Sequence, residues 1–460
     1  MNSMSNKDFK REIYSRLLHW KEYESKDCAL LIEGPRRVGK TTLVKKFAGN
    51  EYSSHLYIDF QRPRDGTIDI FEKYRSDSNR LFSNLESLYG VRLQKGKSLV
   101  IFDEIQYYPP ARALIKYFVE EGDYSFIETG SLISIRQNVE NIQIPSEESR
   151  IVMHPMTFEE FLWAMGDEVT MDLVGDAFRK REPLGRALHA SIMEKFKTYL
   201  LVGGMPQAVS EYIGSGNLGE VEKVKRRILE LYRTDMSKIK RGNGIHAAAM
   251  FEKTPQMLSR HRKIFSPGMV KRGSSTSDYE TSAFWLSDSK ICNLCKEASD
   301  PNPAMNLLLD DASYKCYLAD TGLLMTLAFD TGDLIRNDLM DAFRKGRLSM
   351  NEGMIFENAV AQMIVSEGSR LYFHEFRVDG DDRHVYEVDF MILRGQKVIP
   401  IEVKSATSSS HVSLDRFIEK HRRRVKDPVV IHPRDFRMAD GIMYIPIYMT
   451  PFLIRSLKDE

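Results

Sequence analysis

The sequence predicts an α/β fold class, and three observations carry the prediction. The first is Gly34-Pro35-Arg36-Arg37-Val38-Gly39-Lys40-Thr41-Thr42, a G-x-x-x-x-G-K-T pattern with an apolar run before it and a helix-prone run after it. The second is Ser98-Leu99-Val100-Ile101-Phe102-Asp103-Glu104, an apolar strand ending in two acids. The third is a pair of alternating segments, 385–390 and 399–404, joined across Arg394-Gly395-Gln396 as a hairpin.

Bulk properties set the bounds. A chain of 460 residues has room for about three domains, each with its own core. Apolar residues at 42% and charged residues at 28% describe a globular protein rather than a disordered or fibrous one. No apolar run approaches the ~18 residues of a membrane span, and the start, M-N-S-M-S-N-K-D-F-K, has no apolar signal core. A cytoplasmic location without membrane contact is therefore expected. With a net charge of +1, binding to nucleic acid would have to come from local basic patches. Cys28, Cys292, Cys295 and Cys316 are too few and too uneven for a disulfide framework. The last three offer three zinc ligands without an obvious fourth, so buried structural thiols are the preferred reading.

Taken in order, residues 1–24 carry Phe9, Ile13, Leu17, Leu18 and Trp20 among charges, the pattern of an amphipathic lead-in helix. Residues 28–33 (C-A-L-L-I-E) read as a buried strand, and 43–47 continue helically. In the loop between them the glycines let backbone N–H groups converge on phosphate oxygens. Lys40 brings charge to the β and γ phosphates, and the Thr41 hydroxyl can ligate Mg²⁺. All of Gly34 to Thr42 is assigned to nucleotide binding. A strand at 55–60 and a charged, largely helical stretch lead to the strand ending in Asp103 and Glu104. It resembles a Walker B strand, where Asp103 would hold Mg²⁺ through its water shell and Glu104 would polarise the attacking water. A helix at 110–120 and a strand at 124–128 deliver Thr129-Gly130-Ser131; Thr129 and Ser131 are both candidates to reach the γ-phosphate, with a plain turn as the competing reading. Another strand at 150–155 and a capping box at 157–160 close a nucleotide domain spanning 1–165. Arg150 is a candidate transition-state arginine acting on a neighbouring subunit's nucleotide, against the commoner surface or salt-bridged role.

Together these residues resemble the AAA-type (AAA+ superfamily) predicted ATPases of archaea and bacteria, whose C-terminal half is a restriction-endonuclease-like domain of unknown function. The matching pieces are G-P-R-R-V-G-K-T-T, L-V-I-F-D-E-I-Q, T-G-S, S-R-I-V-M-H-P-M-T-F-E-E-F-L, G-G-M-P at 203–206 and Y-L-A-D-T-G-L at 317–323, and they cover most of the chain.

Residues 166–240 are helical by composition, clearest at 188–201 and 218–238, and resemble the helical lid of such ATPases. Lys223, Lys225, Arg226, Arg227 and Arg233 read as a solvated face, with a DNA or subunit contact as the alternative. Residues 241–345 look like a winged helix-turn-helix: helices at 245–253, 255–263 and 278–289, then strands at 291–296 and 314–319. Arg260, Arg262, Lys263, Lys271 and Arg272 would then bind phosphates, although winged helices also dock proteins.

In the last segment, 346–460, a period of two puts Glu402 and Lys404 on one strand face, next to Asp389 on the partner strand, and a helix at 353–358 offers Glu357. The set resembles PD-(D/E)xK nucleases. That resemblance implies Asp389 and Glu402 as Mg²⁺ ligands, Glu357 as an accessory ligand, and Lys404 orienting or deprotonating the attacking water. Val388 stands where the motif expects proline. A solvated Glu–Lys pair, or a nuclease fold kept only for binding, competes with this reading. His421-Arg422-Arg423-Arg424 would suit phosphate contacts.

The expected function is Mg²⁺-dependent ATP hydrolysis coupled to conformational change and acting on DNA, with ATP and Mg²⁺ as cofactors and a further copy or a protein as additional partner. The rival expectation is an ATP-driven switch controlling protein partners, with a terminal domain that does not cut.

Overall fold

The computed structural model describes residues 8–130, 145–239, 243–329, 352–378, 381–405 and 410–458, and the single residue 343. By contact density the chain forms two compact units, Met1–His154 and Pro155–Glu460.

The first unit is built on five parallel strands: β1 (Ala29–Glu33), β2 (Ser54–Asp59), β3 (Ser98–Asp103), β4 (Ser125–Gly130) and β5 (Glu148–Val152). Their order across the sheet is β2-β3-β4-β1-β5. Every residue of β1 and β3 is buried, the signature of parallel strands covered on both faces. One face packs Leu31, Ile58, Val100 and Phe102 against Phe71, Leu85 and Phe118. The other packs Leu30, Ile32, Leu99 and Ile127 against Trp20 of the lead-in helix α1 (Ile13–Tyr23) and Phe47 of α2 (Lys40–Glu51). Because β4 lies between β1 and β3, in register with both, the loop after β1, the acids after β3 and the end of β4 meet at one edge of the sheet.

The second unit opens with helix α3 (Phe158–Ala164), whose capping box joins Thr157 and Glu160 as the sequence predicts. The G-G-M-P and Y-L-A-D-T-G-L motifs meet in its interior. Gly204 passes so close to Met156 that a Cβ would lie 2.2 Å from the Met156 carbonyl oxygen. The buried Asp320 carboxylate accepts the Gly204 and Leu323 N–H groups at 2.5 and 2.8 Å. Among the basic residues read as a solvated face, Lys225 is buried instead. It donates to the Leu201 and Gly322 carbonyls and pairs with Glu222 at 3.1 Å, because its side of the helix Leu218–Ser237 faces the interior.

The helices expected at 245–253 and 255–263 are one helix, α4 (Asn243–Leu258), with Pro255 inside it. The helix buries Ala247, Met250, Phe251, Met257 and Leu258, and that continuous apolar face outweighs the proline's cost of about 3 kcal/mol. The following hairpin, β6 (Cys292–Ala298) and β7 (Leu309–Leu318), is not an isolated wing. It extends into a four-stranded sheet, β7-β6-β8-β9, with β8 (Tyr372–Val378) and β9 (Asp381–Val388) from the last segment. Cys292, Cys295 and Cys316 are buried free thiols on this hairpin. The predicted strand at 385–390 breaks at Asp389. Residues up to Val388 pair with β8, whereas β10 (Phe390–Arg394) forms the expected hairpin with β11 (Lys397–Val403) in a second sheet. Asp389 thus stands at the corner between two sheets.

Candidate functional site

In the first unit, Gly34 leaves β1 at φ 153°, and a Cβ there would meet the Met153 carbonyl oxygen at 2.4 Å. Only glycine lets the chain turn off the strand so closely. Lys40 begins α2, is buried, and donates to the Gly34 and Pro35 carbonyls at 2.9 and 3.2 Å, folding back over its own loop. Burial pushes its pKa down, against the pull of Glu104 and Asp103. Val38 is buried in the core beneath the loop, and its carbonyl accepts from Arg11 at 3.1 Å. Arg37 takes a positive φ of 70°. Arg36 and Thr42 belong to the same loop and first helical turn, flanking Gly39 at the helix N-cap.

Asp103, at the end of β3, gathers three hydroxyls. Its Oδ2 accepts from Thr41 at 2.9 Å and from Tyr57 at 2.5 Å, and its Oδ1 accepts from Thr129. Glu104 adopts a left-handed backbone (φ 53°), its N–H donates to the Thr129 hydroxyl at 3.3 Å, and its carboxylate accepts from Gln106. The residues on the loop, on β3 and at the end of β4 thus converge as the motifs predict. A hydroxyl and a buried carboxylate side by side, with a lysine over a glycine cradle, fit a nucleotide phosphate with Mg²⁺. Thr129 sits on Asp103, whereas Ser131 lies outside the described residues. Arg150, on the edge strand β5, is held by Glu148 at 2.7 Å with 39% of its side chain exposed, and Glu148 also forms a buried pair with Arg112. Tyr57 and Gln106 went unread in the sequence. Tyr57 reaches Asp103 because β2 pairs with β3 in register Asp59↔Asp103.

A second cluster lies within the second unit, around an open cavity of about 580 Å³ lined by Arg260, Lys263, Asp389, Glu402 and Lys404 among others. Lys404 is 2.6 Å from Glu402 Oε1, and Asp389 Oδ2 accepts the Val403 N–H at 2.8 Å, so the hairpin brings these three together as the period of two requires. Glu357, on the helix α5 (Glu352–Ser366), joins them through Lys263, which the sequence assigned to phosphate contact, and Lys315, which it left unassigned. Lys263 pairs with its Oε2, Lys315 lies 3.5 Å from Oε1, and Tyr317 donates to Oε1. Lys315, fully buried on β7, also binds Glu387 at 2.6 Å. Burial alone would raise the Glu357 pKa, but Lys263 and Lys315 carry it down to about 2. Glu402 goes the other way: burial and the neighbouring Asp389 push it up to about 8. Of the bases assigned to phosphate contact, Arg262 is engaged by Glu375 through two bonds at 2.9 and 2.6 Å.

The parallel sheet, the loop and the acids of the first unit define a phosphate-loop nucleotide-binding domain. Residues 26–162 match the family described as an AAA domain, so this segment is similar to AAA-type domains. Residues 193–333 and 352–450 match two domains of unknown function, DUF8612 and DUF4143. Over 227 residues the chain is 25% identical to the uncharacterized protein MJ1637 of Methanocaldococcus jannaschii; the match spans 45% of each protein. Among solved structures it is similar to Cdc6p from Pyrobaculum aerophilum (TM-score 0.23, 11% identity, 72% of this chain and 92% of that one). It is also similar to a signal transduction ATPase with numerous domains and a tetratricopeptide repeat sensor from Pyrococcus horikoshii (TM-score 0.26, 12% identity, 77% and 49%). TM-scores this low do not establish a shared fold, so the assignment rests on the sheet, the loop and the matched segment. No helix among the described residues is long and apolar enough to cross a membrane.

Proposed function

We propose that the chain is a Mg²⁺-dependent ATPase that couples hydrolysis to conformational change and acts on DNA through its second unit. The observation that carries the first half is the convergence of Thr41 and Thr129 on Asp103 at the mouth of the phosphate loop. In this reading Lys40 takes its charge from the loop carbonyls to the β and γ phosphates, and Thr41 and Asp103 hold Mg²⁺. The ion, when bound, offsets the charge on the phosphate oxygens. Glu104 orients and deprotonates the attacking water, Thr129 keeps Asp103 and the Glu104 backbone in place, and Arg150 serves a neighbouring copy's nucleotide.

Arg260, Lys263 and Lys404 around the cavity of the second unit support DNA as the object of that work, with Asp389, Glu402 and Glu357 as the nuclease-like acids. One observation favours the second reading, a switch for protein partners whose terminal domain does not cut: Glu357 and Arg262 are already engaged by internal partners. Steady-state turnover of the wild type, Lys40→Ala and Glu104→Gln tests the ATPase; each variant is expected to lose roughly two orders of magnitude or more. Turnover undiminished in both would overturn it. Binding to duplex and branched DNA, titrated against salt in each nucleotide state, tests the other half. Absence of binding at low salt would leave the protein-partner switch.

A further inference from the structure

The acids of the second unit do not, as arranged, meet the needs of a metal ion. Among the described residues no group of three or more His, Cys, Asp or Glu side chains is placed to hold one. Glu357, the accessory carboxylate of a nuclease-like site, has both oxygens occupied, Oε2 by Lys263 and Oε1 by Lys315 and Tyr317. Divalent cations bind oxygen ligands at about 2.0–2.6 Å. An ammonium in contact with the same oxygen excludes them.

The two lysines differ in kind. Lys315 is fully buried on β7, clamped between Glu357 and Glu387, and has nowhere to go. Lys263 lies beyond the end of α4 in the connecting segment 259–266, keeps 18% of its side chain exposed, and lines the open cavity beside Asp389, Glu402 and Lys404. Its charge acts on Asp389 as well as on Glu357. Glu402, at 6% exposure, also lines that cavity, and its Oε2 is buried without a hydrogen-bond partner. Its other oxygen pairs with Lys404, so the protein supplies Glu402 with one cation and leaves the second acceptor unsatisfied.

We infer that Lys263 is a built-in counter-cation for Glu357, an ammonium on the carboxylate oxygen that a divalent ion would need, so that the site as built does not take metal while Lys263 is in place. The inference rests on reading this cavity as nuclease-like. It makes a residue from outside the terminal domain part of that site.

The test is Mn²⁺ binding by the full chain, by calorimetry or electron paramagnetic resonance, without nucleotide and in an Asp103→Asn background that removes the phosphate-loop carboxylate. Adding Lys263→Met, which keeps the length and removes the charge, is expected to tighten Mn²⁺ binding roughly tenfold or more. Adding Asp389→Asn should abolish that gain, and Lys263→Arg should show none. If Lys263→Met melts like its parent and binds Mn²⁺ no tighter, the inference is wrong. Should the parent already bind tightly, in a manner lost with Asp389→Asn, the nuclease-like site stands and the role of Lys263 falls. If neither binds, both fall. A wild-type measurement covers a variant that does not fold: acetylation of Lys263, read by peptide mass spectrometry, should be unchanged at saturating Mn²⁺, and a several-fold rise overturns the inference.

Discussion

Tyr57 donates to the very oxygen of Asp103 that Thr41 also engages, and Lys45 lies 3.8 Å above its ring. In the proposed ATPase Thr41 would serve Mg²⁺, and Tyr57 on one oxygen with Thr129 on the other would keep the carboxylate in place, the part of a positioning residue. A hydrogen bond to a charged group contributes about 1.5–3 kcal/mol, and 1.4 kcal/mol is about tenfold in rate. Tyr57→Phe keeps the ring under Lys45 and removes only the donor. Its turnover at saturating ATP is expected to fall about tenfold, with nucleotide affinity near wild type; equal turnover numbers would rule the role out. Lys40, Thr41, Asp103 and Glu104 were legible because each motif is contiguous and its geometry is set within one turn. The contacts of Tyr57, Lys263 and Lys315 were not. Their partners are chosen by which strand lies beside which, and no local pattern announces that.

At the scale of elements, the central strands of the first unit were readable as apolar runs and the strand at 55–60 by alternation, as was the hairpin that carries Glu402 and Lys404. The misreadings have one cause: local signals outvoted by burial. Pro255 looks like a helix boundary, yet the apolar face of Asn243–Leu258 runs through it. Residues 385–390 alternate as one strand, yet the two halves serve different sheets. The glycine pair at 203–204 reads only as a helix break, whereas its physical task is to let Asp320 and Met156 approach the backbone. Gly204→Ala tests that. Its Cβ would meet the Met156 carbonyl oxygen at 2.2 Å, a backbone atom that cannot rotate away. The expected loss is about 2–3 kcal/mol, from the cost of overpacking a tight interior. Chemical denaturation should show it as a lower midpoint at unchanged slope, and a midpoint equal to wild type would mean that the contact relaxes freely.

At the scale of the molecule, the chain passes from the first unit to the second at Pro155. The His154 carbonyl accepts from Arg11 in the first unit, and the Met156 carbonyl accepts from Tyr199 in the second, with Pro155 alone between them. From Tyr199 the chain of hydrogen bonds continues to Gln362, at 2.9 Å, on the same helix as Glu357. The proposed coupling would run along these bonds within the second unit, which a change of state in the first unit would reach through the chain at 155–160. A contiguous network does not by itself demonstrate coupling; a difference between nucleotide states does. Hydrogen exchange on the full chain supplies it. ATP held unhydrolysed by Glu104→Gln should protect the strands around the phosphate loop, and ATP and ADP states should differ in exchange within 352–366 and around 155–160. Identical exchange of the second unit in apo, ADP and ATP states would refute coupling, even with turnover intact, and would reduce the first unit to an ATPase working alone.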